Sequence, residues 1–93
     1  MIKSYANKVT EQIANGETPK RIPKQVVQRA LMRLVQLDNA VELMDLRFPQ
    51  SNSLEKLLGN RKGQHSIRVN EQWRICFKLE NGDAYDVEFA DYH

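Results

Sequence analysis

Cysteine occurs once in the 93 residues, at Cys76, which excludes an internal disulfide and any cysteine-built zinc cluster. Long apolar runs are missing too. None approaches the roughly 18–20 residues that a membrane-spanning helix needs, and no signal-peptide pattern opens the chain. A cytoplasmic protein without membrane association is therefore expected. Charge of one sign is not in large excess: 14 Lys and Arg meet 12 Asp and Glu, for a net charge of +2. Affinity for nucleic acid would have to come from local patches, not bulk charge. The chain is also too short for two cores, so one domain over residues 1–93 is expected. With 41% apolar and 28% charged residues, wholesale disorder is not. The basic turn Gly59-Asn-Arg-Lys-Gly63 lacks the spacing of a nucleotide-hydrolysing phosphate loop.

Charge patches are present. Lys20, Arg21, Lys24, Arg29 and Arg33 follow one another with no acid among them. Lys56, Arg61, Lys62, Arg68 and Arg74 are broken only by Glu71, whereas Glu80, Asp83, Asp86, Glu88 and Asp91 make the tail acidic.

Periodicity predicts a weak edge strand over Met1–Asn7 and a short helix over Lys8–Ala14 that stops at Gly16. A longer helix begins at Pro23 and runs to about Leu37, with Val27, Ala30, Leu31, Leu34 and Val35 as its apolar stripe. Asn39 and Glu42 resemble a capping box that opens a turn through Leu43–Leu46. A short strand near Leu54–Leu58 follows the turn-rich Pro49–Ser53.

From Ser66 onward, residues alternate as in β-structure. Ile67 and Val69 share one face with Trp73, Ile75 and Phe77 if Asn70-Glu71-Gln72 is the loop of a hairpin. Arg68 then lies opposite Arg74 on the other face, a like-charge pairing that is unfavourable unless an anion sits there. His65 falls on the core side by parity, Trp73 and Phe77 are core, and Cys76 is a small filler on the polar face. For the last strand, a three-residue loop with left-handed Gly82 would set Leu79 opposite Tyr85, Phe77 opposite Val87 and Ile75 opposite Phe89, with Lys78 facing Asp86. Asp91, Tyr92 and His93 would end beside the arginine pair. The expected fold is α+β: an antiparallel sheet with the N-terminal helices packed on one face.

That polar face has the parts for cutting RNA. Arginine forks can stabilise charge building on phosphorus, and Glu55, Asp91 or His93 can move protons. Tyr92 can stack on a base or donate a proton.

The opening MIKSY, the Leu54–Gly63 turn, the Ser66–Arg74 hairpin and the closing Asp91-Tyr92-His93 resemble the HigB toxins of bacterial type II toxin–antitoxin modules. These belong to the RelE/ParE superfamily, and the likeness is to the GraT-like branch. The resemblance covers essentially the whole chain. It implies a RelE-like fold and a metal-independent, ribosome-dependent mRNA endoribonuclease without cofactors, which cleaves mRNA in the ribosomal A site. It also implies neutralisation by a HigA-type helix-turn-helix antitoxin, through which alone operator DNA would be bound.

Carried over by residue, the transition-state arginine falls on Arg74 and the C-terminal catalytic cluster on Asp91, Tyr92 and His93. A histidine found in many HigB proteins is replaced by Glu55, which matches a glutamate described as general base in YoeB toxins, and a family lysine is replaced by Leu58. A second family arginine matches Asn70, with Arg68 two residues earlier on the same face. Arg68, Lys56, Arg61 and Lys62 are the expected substrate contacts. Lys20, Arg21, Lys24, Arg29 and Arg33 are the expected contacts to ribosomal RNA. The alternative on the same fold is a ParE-like toxin that binds DNA gyrase and cuts nothing.

Overall fold

The computed structural model describes residues 1–91; Tyr92 and His93 lie outside the described residues. Two helices, α1 (Lys8–Ala14) and α2 (Lys24–Asn39), precede a four-stranded antiparallel sheet of β1 (Glu55–Lys56), β2 (His65–Arg68), β3 (Trp73–Glu80) and β4 (Asp83–Asp91), in that spatial order. Short 3-10 turns at Leu43–Arg47, Gln50–Asn52 and Gly59–Arg61 make the connections. The N-terminal segment extends the sheet beyond β4, with Ile2 and Tyr5 bridging Ala84 and Val87 in parallel. This is the expected α+β architecture. No helix among the described residues is long and apolar enough to cross a membrane.

Asn7 caps α1. Its Oδ1 accepts from the Thr10 backbone N–H at 3.0 Å and from the Thr10 hydroxyl at 2.6 Å. The same hydroxyl oxygen, fully buried, accepts from the Phe89 N–H at 2.8 Å, so the cap also joins α1 to β4. Along α2 the buried positions are Val27, Ala30, Leu34 and Leu37. Val35, expected in the stripe, is instead 53% exposed. A helix on a sheet buries a narrower face than its full apolar arc. The helix also runs on to Asn39, whose amide bonds back to the Val35 carbonyl at 2.8 Å. The capping box is accordingly Glu42 with Asp45, not Asn39 with Glu42. Asp45 Oδ2 accepts from the N–H groups of Glu42 and Val41, which hold its carboxyl below the usual carboxylate range.

The β2–β3 hairpin has the expected register: Ile67 pairs with Ile75 and Arg68 with Arg74. The β3–β4 register departs from expectation over half its length. Ile75 faces Phe89 and Arg74 faces Ala90, but Lys78 pairs with Tyr85 and Leu79 with Ala84. Asn81 and Gly82, both at positive φ, form a two-residue turn between Glu80 and Asp83. Such a turn fixes the wrong parity for burying Val87 and Phe89. The odd residue is inserted in the strand instead, as a bulge at Asp86 with φ +54. Ala84, not Tyr85, therefore joins the core. The Lys78–Asp86 ion pair survives at 3.9 Å, exposed and of little energetic weight.

The main core lies between the helices and the sheet, built on Ile13, Leu34, Leu37, Leu46, Ile67, Ile75, Phe77 and Val87. The opposite face is less bare than expected. The 54–64 segment folds over it, burying Leu57 with Cys76 and Ala90 in a second small cluster. His65 pairs with Phe77 and stacks on it with ring centroids 6.4 Å apart. Burial, and then the charge of Lys56 on the neighbouring strand, push its imidazole below the ordinary value.

Replacing Thr10 with Val leaves the Phe89 N–H without its acceptor and should cost about 1–3 kcal/mol in urea unfolding, with Thr10→Ser close to wild type. His65 is held neutral, so its contribution to stability is complete above the ordinary imidazole value of 6.5 and declines as pH falls from there through the lowered one. Unfolding midpoints for His65→Gln should lose that part of the acid-side slope.

Candidate functional site

Arg68 and Arg74 are direct cross-strand partners, so the hairpin itself brings two guanidinium groups to one face. They are not equivalent. Arg74 is only 8% exposed, and its Nε donates to the Ser66 hydroxyl at 2.7 Å. Its Nη2 donates to the carbonyls of Ser53 and, at 3.4 Å, of Ser66. Ser53 presents that carbonyl from a left-handed conformation at the end of the Gln50–Asn52 turn, and Ser66 lies diagonally across the ladder on the same face. The fork is thus clamped by neutral acceptors, none of which carries a counter-charge. Arg68 is half-buried.

Both arginines line a cavity of about 320 Å³ together with Ser53, Glu55, Asn70 and Glu71. Glu55 opens β1 and pairs with Ser66. A phosphate in this cavity would meet two cations, with carboxylates at its edge to accept or return a proton. A second, larger cavity of about 630 Å³ adjoins it and shares Arg68, Asn70 and Glu71. Its remaining lining is Arg29, Arg33, Ser51, Val69 and Gln72. Asn70 shapes the tip between them, its Oδ1 accepting at 2.8 Å from the N–H groups of both Gln72 and Trp73. Arg33 spans from α2 to the hairpin, its Nε donating to the Arg68 carbonyl at 3.0 Å and its Nη2 to the Ser51 hydroxyl at 3.4 Å. Burial, and then the neighbouring Arg29, hold its guanidinium below the ordinary arginine value. Among the described residues, no carboxylate forms an ion pair with Arg29, Arg33, Arg68 or Arg74.

Other expected site residues are elsewhere. Arg61 ties the Gly59–Arg61 turn to β4, pairing with Glu88 at 3.1 Å and bonding Gln64 at 3.2 Å. Lys56 alternates away from Glu55 and faces His65 across the ladder, and Lys62 is exposed outside both cavities. Asp91 pairs with Trp73, so alternation sends it to the Trp73 side of the sheet, not the Arg74 side. There Gln72 Nε2 donates to its Oδ2 at 3.1 Å. Tyr92 and His93 lie outside the described residues. Lys20, Arg21 and Lys24 lie away from both cavities, whereas Arg29 and Arg33 line the larger one. Sequence reasoning missed Ser53, Ser66 and Glu71. Ser66 was findable as the small polar residue diagonal to Arg74; Ser53 carried no such signal.

Known proteins share this sequence and this fold. The family described as RelE-like toxin of type II toxin-antitoxin system HigB matches residues 3–93. Endoribonuclease HigB of Proteus vulgaris is 39% identical over 93 residues, covering 100% of both chains. Toxin HigB-1 of Vibrio cholerae serotype O1 is 36% identical over 94 residues, covering 100% of this chain and 98% of its own. Among solved structures, a mutant of YafQ from E. coli superposes with a TM-score of 0.70 at 17% identity, over 98% of this chain and 91% of that one. YoeB in the YoeB–YefM complex from Staphylococcus aureus superposes with a TM-score of 0.63, also at 17% identity, over 100% and 98%. The structures share the fold; the full-length sequence matches establish kinship, and the chain belongs to the HigB family of RelE-like toxins of type II toxin–antitoxin systems.

Proposed function

We propose that this toxin is an mRNA endoribonuclease that acts in the decoding site of the ribosome, without a metal ion, and so arrests translation and growth. The observation that carries this reading is the shared cavity of Arg68, Arg74 and Glu55. The relative from Proteus vulgaris carries the name endoribonuclease, in keeping with that chemistry.

In the reaction, the 2′-oxygen of the RNA attacks the adjacent phosphorus and the bond to the 5′-oxygen breaks. Charge accumulates on the phosphoryl oxygens, where the clamped fork of Arg74 and the looser one of Arg68 receive it. Glu55 accepts the 2′-hydroxyl proton, being the carboxylate on β1 at the cavity wall. The departing 5′-oxygen needs a proton in return. His93 is proposed for that step and Tyr92 for positioning the nucleotide, both from the family resemblance. Asp91 faces the Trp73 side of the sheet, where it accepts from Gln72, so the proton-transfer roles are assigned to Glu55 and His93.

Lys20, Arg21 and Lys24 remain the proposed contacts to ribosomal RNA, as cations outside the substrate cavities. A HigA-type helix-turn-helix antitoxin is the proposed partner, neutralising the toxin and carrying operator binding, and the cytoplasm is the proposed location. The gyrase-binding alternative gains no support from the relatives.

On ribosomes programmed with defined messages, Arg74→Ala should lower the single-turnover cleavage rate by about 10²–10³-fold, as loss of a charge-stabilising donor does elsewhere. Glu55→Gln should lower it as well, and thermal melts would verify folding of both variants. Wild-type cleavage rates in a folded Arg74→Ala protein would refute the assignment.

A further inference from the structure

The larger cavity is not needed to hold one scissile phosphate, yet its lining is strongly cationic. Arg29, Arg33 and Arg68 line it with a single acid, Glu71, and the hydroxyl-bearing Ser51. Its volume of about 630 Å³ is within the range of sites that enclose small ligands. Arg33 is held in place from two elements, by the Arg68 carbonyl at 3.0 Å and Ser51 at 3.4 Å, so its fork is preorganised. Three guanidinium groups collected in a hollow, with no carboxylate paired to them among the described residues, form an anion site. Burial and Arg29 already disfavour the charge on Arg33, a penalty that a bound anion would offset.

Continuity decides which anion. The cavity joins the Arg68–Arg74 cavity through Arg68, Asn70 and Glu71 at the hairpin tip, so a strand with one phosphate between Arg68 and Arg74 leads directly into it. A convex ribosomal surface would instead meet exposed side chains such as Lys20 and Lys24. We propose that Arg29, Arg33 and Ser51 form a second phosphate subsite, holding the phosphate next to the scissile one on the same RNA strand. This rests on the nuclease reading of the smaller cavity. It moves Arg29 and Arg33 from the ribosome-binding face to the substrate groove, and it makes the toxin a reader of at least two consecutive phosphates.

The test uses the purified full chain and a fluorescent, non-cleavable 2′-O-methyl trinucleotide with its two linkages charged, or with either one replaced by a neutral methylphosphonate. In anisotropy titrations, neutralising the flanking linkage should weaken wild-type binding about tenfold or more, the weight of a charge-assisted contact. Arg29→Gln, which breaks no internal bond, should weaken the charged strand comparably and no longer distinguish it from that neutral one. Arg33→Lys, keeping the charge without the fork, should fall between the two. Equal wild-type affinity for all three strands, or full discrimination retained by Arg29→Gln, would overturn the subsite. Failure of the nuclease reading appears separately, as an Arg74→Ala protein that binds and cleaves like the wild type while the Arg29 effect persists.

Discussion

The site depends on a repulsion. The alternation of Ile67 and Val69 with Trp73, Ile75 and Phe77 fixes the hairpin register, and that register sets Arg68 against Arg74. Like charges directly across a ladder oppose pairing by some tenths of a kcal/mol, while burial of the apolar partners contributes several times more. Core packing therefore imposes an electrostatic strain on the opposite face of the same strands. The clamp on Arg74 keeps that strain from dissipating: Ser66 and Ser53 hold its Nε and Nη2 without neutralising the fork, whereas a carboxylate would have cancelled the charge.

The surrounding elements serve that pair. The Gln50–Asn52 turn supplies Ser53, and Asn52 beside it is fully buried, its amide donating to Gln36 at 3.0 Å and to the Leu46 carbonyl at 3.1 Å. Helix α2 is thus coupled to the segment that holds Arg74. It is also coupled to the hairpin through Arg33. Leu57, Cys76 and Ala90 close the far side of the clamp, and the Arg61–Glu88 pair fastens the strap that carries Leu57. Burial pushes the Cys76 thiol up, consistent with a packing role. The fold's second face is a mounting for one arginine, not an open platform.

What the sequence made legible was whatever parity and short-range pattern control. The two helices, the hairpin register, the half-buried position of His65 on the core side and the kinship all follow from spacing or from contiguous motifs. The β3–β4 register was misread because Asn81-Gly82 satisfies a two-residue turn and the odd residue moved to Asp86, a choice that tertiary burial of Val87 and Phe89 makes. The displacement of Asp91 was already contained in the register that sets Arg74 opposite Ala90, since the next residue must turn the other way. The clamp from Ser53 and the approach of Arg29 and Arg33 to Arg68 were not legible. They join segments far apart in the chain through three-dimensional closure, and no local spacing encodes that.

The most direct test of this account is a crystal structure of the full chain with an RNA dinucleotide carrying a 2′-O-methyl group at the cleaved position. The account predicts the phosphate between the Arg68 and Arg74 guanidinium groups, with the Glu55 carboxylate beside the 2′-oxygen. A phosphate bound away from Arg74, or an Arg74 fork wholly occupied by Ser66 and Ser53 with the nucleotide elsewhere, would contradict it.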